Sequence, residues 1–362
     1  MSPLPLFREF AAAFFAVSAL ALVHQPADAV AAPAASSTCC PADVSTPAPV
    51  AGVRHVVLIG VDGFGAYAWE KAKIPNLRFL AANGALTLNA RTVLPTISAP
   101  NWGTHLMGAG PELHGWTSNG ARSLEPLVRN ERGLFPTVFS IVRAAHPKAK
   151  LAAFYDWGRI HNLLDTDVLS HEVYVGCLDG KITRFKRPRE HPRAANAGDS
   201  PRGVKRTDQE LVEEYEASSK EVTAAAAEYI EKEKPLLSFI YLGALDETGH
   251  KLGHDTPAYY TTLANVDAHV GRILEAIKKA GMEKETVIIV VSDHGGVGRG
   301  HGKNSKLETQ IPWLIWGPGI KRGVTMNSAV LNTDTSPTIV RLLGLPQPQP
   351  WRGKPVEEAI AK

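Results

Sequence analysis

Three short apolar runs, each followed closely by a carboxylate, constrain the fold of this chain most strongly. They cover residues 55–61, 236–242 and 285–291. Runs of this kind are typical of strands buried on both faces of a parallel sheet. The aspartates that follow them are Asp62, Asp246 and Asp293. Each alone also fits an ordinary turn or helix cap. Because the carboxyl ends of parallel strands share one edge, where ligands bind, we expect the three side chains to meet.

Histidines accompany the second carboxylate. His250 lies four residues after Asp246, a spacing that places both side chains on one face of a helical turn or closes a small loop around an ion. His254 continues the same spacing, and we regard it as a candidate to support the ligands. The pattern predicts a metal site just beyond the second strand.

The third strand leads into a glycine-rich loop that carries Asp293, His294 and His301. Glycines let backbone approach an ion closely, and carboxylates combined with imidazoles suit zinc or manganese. With a serine hydroxyl, three aspartates and three histidines are enough ligands for two divalent ions, which together clamp the attacking and leaving oxygens of phosphoryl transfer.

The hydroxyl is that of Ser98, within the stretch 94–102. A strand predicted over residues 85–93 leads to it, and Pro100 favours the first turn of a helix immediately afterwards. Free amides at a helix N-terminus favour an anion, so a phosphate would fit against Ser98 and the amide of Asn101. A serine needs an activator to be a nucleophile, and no Gly-x-Ser-x-Gly turn surrounds it, so we predict activation by metal. An ordinary serine cap is the alternative.

Composition and length set wider bounds. A chain of 362 residues with a formal net charge of +3 is long enough for one large α/β domain, which we place at residues 53–362. The small charge and the lack of an aromatic-interleaved basic stripe give no indication of a nucleic-acid polymer as partner. A long helix is predicted over residues 207–233, where Thr207 precedes acidic residues.

The N-terminal residues have the pattern of a signal peptide followed by a linker. Arg8, an apolar run over residues 10–23 and small residues up to Ala29 predict a signal peptide at residues 1–29. An uncleaved anchor is the alternative, although the run is short for a bilayer. Residues 30–52 are rich in alanine and proline and predict an unpacked linker. We expect export to the periplasm or the exterior, with no stable membrane span after cleavage.

One further stretch, residues 179–206, is rich in lysine, arginine, proline and glycine. It predicts an exposed loop or insertion. Charge runs of this kind are usually just solvated, and steering of an anionic substrate is the functional alternative.

Taken together, the motifs resemble those of the alkaline phosphatase superfamily, and most closely those of type I phosphodiesterases/nucleotide pyrophosphatases. The motifs are Gly60-Val61-Asp62-Gly63, Pro95-Thr96-Ile97-Ser98-Ala99-Pro100-Asn101, Asp246 with His250, Ser292-Asp293-His294-Gly295, and Gly300-His301-Gly302. The resemblance spans residues 53–362. It implies an α/β three-layer sandwich around a mostly parallel central sheet.

The resemblance also implies roles for individual residues. One divalent ion, zinc or manganese, would be held by Asp62, Ser98, Asp293 and His294, and the second by Asp246, His250 and His301. Asn101 would hydrogen-bond a phosphoryl oxygen of a small phosphorylated substrate, a nucleotide or another phosphodiester. Ser98 would attack phosphorus, and a phosphoserine would then be hydrolysed.

Two departures from the family pattern keep other substrates open. Nucleotide pyrophosphatases typically carry threonine where Ser98 stands, and serine is found in monoesterases and in cofactor-independent phosphoglycerate mutases of the same superfamily. Sulfatases share the Ser98-Ala99-Pro100 pattern but require arginine where Trp102 stands. We therefore expect a phosphodiesterase, with a phosphomonoesterase, a phosphonate or sulfate ester hydrolase, or a non-catalytic secreted metal-binding protein as alternatives.

Overall fold

The structure, a computed structural model, describes residues 47–178, 181–190 and 207–362, and these belong to one compact unit, Ser45–Lys362. A nine-stranded sheet runs through it in the order β5-β4-β3-β6-β1-β7-β8-β2-β9. The strands are β1 (His55–Val61), β2 (Ala85–Arg91), β3 (Leu151–Tyr155), β4 (His171–Leu178), β5 (Lys181–Phe185), β6 (Leu237–Leu242), β7 (Thr286–Val291), β8 (Gln310–Trp316) and β9 (Val324–Thr325). Only the pairings of β5 with β4 and of β8 with its two neighbours are antiparallel.

Helices cover both faces of this sheet. Within the described residues they are α1 (Pro75–Ala82), α2 (Ser98–Met107), α3 (Pro111–His114), α4 (Val138–Ala145), α5 (Asp208–Glu233), α6 (Ala244–Leu252), α7 (Pro257–Lys279), α8 (Lys306–Thr309) and α9 (Thr335–Leu342). One core packs α2, α4 and α9 against the sheet, and the other packs α1, α5 and α7 against the opposite face. The predicted three-layer α/β fold with a mostly parallel sheet is confirmed.

The side chains of β1 show why this strand is apolar throughout. Val56 and Leu58 lie in one core, while Val57 and Ile59 lie in the other. Successive side chains of a strand point to opposite faces, so a strand covered on both sides buries every residue. Burial of such a side chain contributes about 1.5–3 kcal/mol.

The long helix α5 begins where its sequence predicts. The Thr207 side chain accepts a hydrogen bond from Glu210 N, and the Glu210 carboxylate accepts one from Thr207 N at 2.7 Å. This reciprocal cap satisfies two backbone amides that have no partner inside the helix and stabilises it by about 1 kcal/mol.

Strands β6, β1 and β7 lie side by side at the centre of the sheet. Val61 pairs with Leu242, and Gly60 pairs with both Tyr241 and Val291. The three strands run parallel, so they end at one edge. The loops and helices that carry the predicted functional residues begin there, as expected from the apolar runs.

Two parts of the predicted domain layout differ in the structure. The folded unit starts before residue 53: Val50 is buried, and its amide donates to Leu342 O at 3.0 Å. The stretch expected to be an exposed basic loop contains strand β5 over Lys181–Phe185, which pairs antiparallel with β4 at the edge of the sheet. Its residues 179–180 and 191–206, like the predicted signal peptide, lie outside the described residues.

We also compared the helices of the described residues with the length and apolar character of membrane-spanning helices. None of them combines the length and the apolar character needed to cross a bilayer.

Candidate metal centre and nucleophile

Ser98 is the first residue of helix α2. The N-cap position belongs to Ile97, which is extended, and no side chain caps this helix. The Ser98 hydroxyl therefore does not serve as an ordinary cap. Ser98 is 4% exposed, and its Oγ lies 3.2 Å from His294 Nε2. The hydroxyl faces the predicted ligands at the positive end of the helix dipole.

Asn101 departs from its expected role. Its Oδ1 accepts hydrogen bonds from Val93 N at 3.0 Å and Asn332 Nδ2 at 2.8 Å, and its Nδ2 donates to Pro95 O and Ile97 O. Both polar atoms are thus used in hydrogen bonds to the segment that leads to Ser98 and to Asn332. The predicted contact with a phosphoryl oxygen needs a free donor, so the structure argues against it. Asn101 instead holds the turn in shape.

Asn119 is the amide that does lie beside the nucleophile. Its Oδ1 accepts a hydrogen bond from Ala99 N at 2.8 Å. Its Nδ2 has no hydrogen-bond partner among the described residues and remains free to donate. Asn119 is in an irregular segment without periodic pattern, so no signal in the sequence pointed to it.

Four residues form what we call the buried half of the site: Asp62, Ser98, Asp293 and His294. His294 Nε2 lies 3.1 Å from Asp293 Oδ2 and 3.6 Å from Asp62 Oδ1. Within the described residues, these two carboxylate oxygens have no hydrogen-bond partner, although both are buried. Buried polar atoms are nearly always paired, so the cluster of unpaired oxygens points to a missing positive charge.

Three residues form what we call the open half: Asp246, His250 and His301. Asp246 and His250 both lie on helix α6, as their spacing predicts, and Asp246 Oδ2 is 3.2 Å from His250 Nε2. The Nε2 atoms of His250 and His301 are 3.1 Å apart. The His250 side chain is 37% exposed, so solvent reaches this half.

Asp246 lies between the two halves. Its carboxylate is close enough to share one cation with His250 and His301, and also close enough to share one with Asp62 and His294. Gly63 permits this approach: a Cβ at Gly63 would lie 2.8 Å from Asp246 Cβ. The seven predicted ligands therefore lie in one continuous cluster.

Backbone carbonyls orient the three histidines. His294 Nδ1 donates to Gly295 O at 3.0 Å, His250 Nδ1 to Arg299 O at 3.1 Å and His301 Nδ1 to Thr96 O at 2.6 Å. A carbonyl only accepts hydrogen bonds, so each Nδ1 carries a proton and each Nε2 points into the cluster, where the neutral imidazole offers a lone pair. Proteins usually fix metal-binding imidazoles in this way.

The electrostatics differ between the halves. Burial, with the charge of Asp293 next in importance, raises the pKa of Asp62 well above its ordinary value, and burial with the charge of Asp246 does the same for Asp293. Burial also acts to raise the pKa of Asp246, but the hydrogen bond to His250 and the nearby imidazoles hold it below its ordinary value. The pKa of His250 rises to about 9 through the same hydrogen bond.

These donors fit divalent cations. Buried carboxylates that repel one another ionise readily only beside a positive charge. The mixture of carboxylate oxygens and imidazole nitrogens suits zinc and manganese equally. The cluster is therefore a candidate centre for two divalent ions.

A tryptophan and a tyrosine position Asp62. Trp102 Nε1 and the Tyr241 hydroxyl both donate to Asp62 Oδ2. Gly60 leaves room for the indole, since a Cβ there would lie 2.6 Å from the ring. These contacts, like that of Asn119, were not foreseen from the sequence.

Two other histidines have structural roles. His105 is fully buried and hydrogen-bonds Thr335 Oγ1 and Ser292 O. His114 closes the short helix α3 before Gly115, whose φ of +86° makes the turn.

Solved structures share this architecture. Murine ectonucleotide pyrophosphatase/phosphodiesterase 5, in an inactive form complexed with AMP, is 16% identical, with a TM-score of 0.60 over 85% of this chain and 100% of that chain. The alkaline phosphatase PafA is 15% identical, with a TM-score of 0.63 over 85% of this chain and 99% of that chain. At these identities the likeness shows the fold alone.

Sequence relatives include sulfatases. Bovine arylsulfatase K is 34% identical over 100 residues, which make up 26% of this chain and 18% of that protein. An extracellular sulfatase homologue of Drosophila melanogaster is 35% identical over 101 residues, 26% of this chain and 9% of that protein. The chain thus matches less than a fifth of the length of either relative.

A family profile covers much more of the chain. The profile of type I phosphodiesterases/nucleotide pyrophosphatases matches residues 56–300, which include six of the seven clustered ligands and the whole central part of the sheet. This chain therefore belongs to the type I phosphodiesterase/nucleotide pyrophosphatase family, within the alkaline phosphatase superfamily.

Proposed function

We propose that this protein is a metal-dependent phosphodiesterase/nucleotide pyrophosphatase that cleaves phosphodiester or pyrophosphate bonds through a phosphoserine at Ser98. The observation that carries the proposal is the position of the Ser98 hydroxyl. Ser98 is the first residue of helix α2 but its hydroxyl does not cap the helix. The hydroxyl lies 3.2 Å from His294 Nε2, within the cluster of carboxylates and imidazoles. Family membership supports the same reaction.

Two divalent ions, zinc or manganese, would occupy the centre. Asp62, Ser98, Asp293 and His294 would hold one of them, and the other would lie among Asp246, His250 and His301. When bound, the ions supply a lowered pKa for the hydroxyl and charge stabilisation for the oxygens around phosphorus. The unpaired carboxylate oxygens and the lone pairs of the three Nε2 atoms support this assignment.

The chain's own groups bind and orient the substrate. The N-terminus of α2 favours an anion beside Ser98. The Nδ2 of Asn119, fixed through the bond from Ala99 N to its Oδ1, is free to donate to a phosphoryl oxygen. We assign to Asn119 the substrate contact that the sequence suggested for Asn101.

The reaction proceeds in two displacements. In the first, Ser98 Oγ loses its proton to water and forms a bond to phosphorus, while the bond from phosphorus to the leaving oxygen breaks. In the second, a water oxygen attacks phosphorus, the bond to Ser98 Oγ breaks, and the serine regains a proton. Each displacement inverts phosphorus, so the complete reaction retains its configuration.

The substrate is a small phosphorylated molecule, a nucleotide or another phosphodiester. The AMP complex of the murine relative supports a nucleotide. No arginine follows closely after Ser98 to hold the extra charge of a monoester. The predicted signal peptide supports export, so the substrate would be met in the periplasm or outside the cell.

Sulfate ester hydrolysis is the second candidate, because arylsulfatase K is among the relatives. Sulfatases require an arginine at this position of the motif, and this chain has Trp102 there instead. The structure buries this indole against Phe239 and Tyr241, with Nε1 bonded to Asp62. An uncharged, buried side chain at this position favours the phosphodiester.

Hydrolysis of matched aryl esters tests the proposal. The metal-reconstituted protein is offered the phosphate diester, the phosphate monoester and the sulfate ester, alongside Ser98→Ala and the exposed-site control Ser328→Ala. We expect the diester to be the best substrate. Its turnover should fall by about 10⁴-fold in Ser98→Ala and stay unchanged in Ser328→Ala.

Other outcomes have clear meanings. Preferential turnover of the sulfate ester would contradict the proposed phosphodiesterase activity and show a sulfatase. Turnover of none of the esters by protein with two bound ions would favour a non-catalytic metal-binding protein.

A further inference from the structure

His254 is a buried histidine beside the open half. It follows helix α6, and its side chain is fully covered. The ring lies between two glycines: a Cβ at Gly249 would come within 2.3 Å of ring atom Cε1, and a Cβ at Gly296 within 2.3 Å of Nε2. Gly249 belongs to the helix of Asp246 and His250. The ring therefore occupies a slot made by the backbone that carries the ligands.

The polar atoms in this slot are unpaired. Neither ring nitrogen of His254 has a hydrogen-bond partner among the described residues, and the same is true of Asp246 Oδ1. His254 Nε2 and Asp246 Oδ1 lie 3.8 Å apart. A small rotation of either side chain would bring this donor and this acceptor to hydrogen-bond distance.

Two other buried histidines, His105 and His114, do not share this feature. Both ring nitrogens of His105 are hydrogen-bonded, to Thr335 Oγ1 and Ser292 O. Both nitrogens of His114 contact polar groups, Thr104 Oγ1 and Trp116 N. His269 Nδ1 is also unpaired, but among the described residues His254 is the buried histidine with unpaired nitrogens that has an unpaired carboxylate oxygen, Asp246 Oδ1, 3.8 Å away.

The backbone of His254 also connects the two segments that supply the open half. Its amide donates to Gly298 O at 2.7 Å. The acceptor lies in the loop that carries His301, and His254 itself follows the helix that carries Asp246 and His250. The ring is consequently held at a fixed place relative to all three ligands.

We propose that His254 is a positioning residue, whose Nε2–H hydrogen-bonds Asp246 Oδ1 in the metal-loaded protein and thereby fixes the orientation of this shared carboxylate. The inference rests on the proposed metal centre. Carboxylate ligands are commonly held by a hydrogen bond from a neighbour, and loss of that neighbour typically weakens metal binding by about 10–100-fold. His254 would therefore set the affinity of the open half for its ion.

Zinc affinity, measured by competition with a chromophoric chelator on the full chain, tests this role. In His254→Phe, which keeps a planar ring without a donor, we expect the more weakly bound zinc to lose about 10–100-fold in affinity. His254→Gln keeps an N–H donor and should recover part of the loss. The control is His269→Phe, another buried histidine, which lies on α7 and should leave both zinc affinities unchanged.

The outcomes separate the inference from the proposed function. Wild-type affinity for both zinc ions in a folded His254→Phe protein would overturn the positioning role while leaving the metal centre intact. A wild-type protein that binds no zinc or manganese would instead overturn the metal centre. If the phenylalanine variant does not fold, His254→Ala, which leaves a cavity and also lacks the donor, is measured in the same way.

Discussion

The two halves of the proposed metal centre contain similar candidate ligands in opposite surroundings. Asp62, Ser98, Asp293 and His294 are each at most 4% exposed, and two of their carboxylate oxygens lack partners. In the open half, Asp246 and His250 form an ion pair that solvent reaches. Without ions, burial and mutual repulsion disfavour the charged carboxylates of the buried half, as the raised pKa values of Asp62 and Asp293 show, whereas the open half neutralises itself through its ion pair. The same donor set can thus be unstable or stable without metal, depending on burial.

This contrast predicts how each half responds to a cation. In the buried half an ion relieves repulsion between carboxylates. In the open half it displaces the proton that His250 carries. Mutations and pH should therefore affect the two halves differently, and the following predictions start from the largest expected effect.

The largest effect is expected from Asp293→Asn, compared with Asp246→Asn. Either change removes a proposed ligand and should lower diesterase turnover by about 10³-fold, since a catalytic ion contributes several kcal/mol. In the ion-free proteins, the two substitutions should change Tm in opposite directions. Asp293→Asn removes a buried repelling charge, and the amide nitrogen in place of Oδ2 can donate to His294 Nε2, so its Tm should rise by a few degrees. Asp246→Asn breaks the pair with His250 and should lower Tm.

Thermal unfolding in the presence of a chelator measures both shifts. A fall in Tm for Asp293→Asn as large as that for Asp246→Asn would show that burial does not distinguish the two halves.

A smaller effect is expected from pH on the open half. The pKa of His250 is raised to about 9, so this imidazole is protonated at neutral pH in the ion-free protein and must release a proton to bind metal. The affinity for the corresponding ion should therefore weaken by about tenfold for each pH unit lost below 9. Chelator competition with manganese between pH 7 and 9 measures this slope. An affinity independent of pH would contradict the predicted proton release.

The smallest effect is expected from Trp102→Phe, with Trp313→Phe as its matched control. Both indoles are fully buried and donate one hydrogen bond, Trp102 to Asp62 and Trp313 to Thr335. Each substitution should lower the free energy of unfolding by about 1–3 kcal/mol. Only Trp102→Phe should also reduce kcat, by about tenfold or less, because of these two indoles only Trp102 positions a proposed ligand, Asp62. Equal kcat values for the two variants would deny the Trp102–Asp62 contact a role in catalysis.

Much of the fold and of the ligand cluster was predictable from the sequence. The apolar runs predicted the three central strands. Because the carboxyl ends of parallel strands lie at one edge of a sheet, the sequence also predicted that Asp62, Asp246 and Asp293 lie close together. Helical spacing placed His250 beside Asp246. These inferences succeed because burial on both faces and helical periodicity leave direct marks in a sequence. That the clustered residues bind metal stays a prediction.

The supporting contacts were not predictable. Tyr241 donates to Asp62 from a neighbouring strand 179 positions away, and nothing in an apolar run marks which tyrosine has its hydroxyl at the site. Asn119 lies in an irregular segment, whereas Asn101 lies in the first turn of the helix that begins at Ser98, where a helix N-terminus favours an anion. Strand β4, His171–Leu178, was missed because charged and glycine residues interrupt its apolar pattern.

The stereochemistry of hydrolysis tests the central claim, a covalent phosphoserine, most directly. A phosphodiester made chiral at phosphorus with sulfur and oxygen isotopes is hydrolysed in labelled water, and the configuration of the product is determined. Two successive in-line displacements through Ser98 predict retention. Inversion would mean that water attacks the substrate directly and would contradict the nucleophilic role of Ser98.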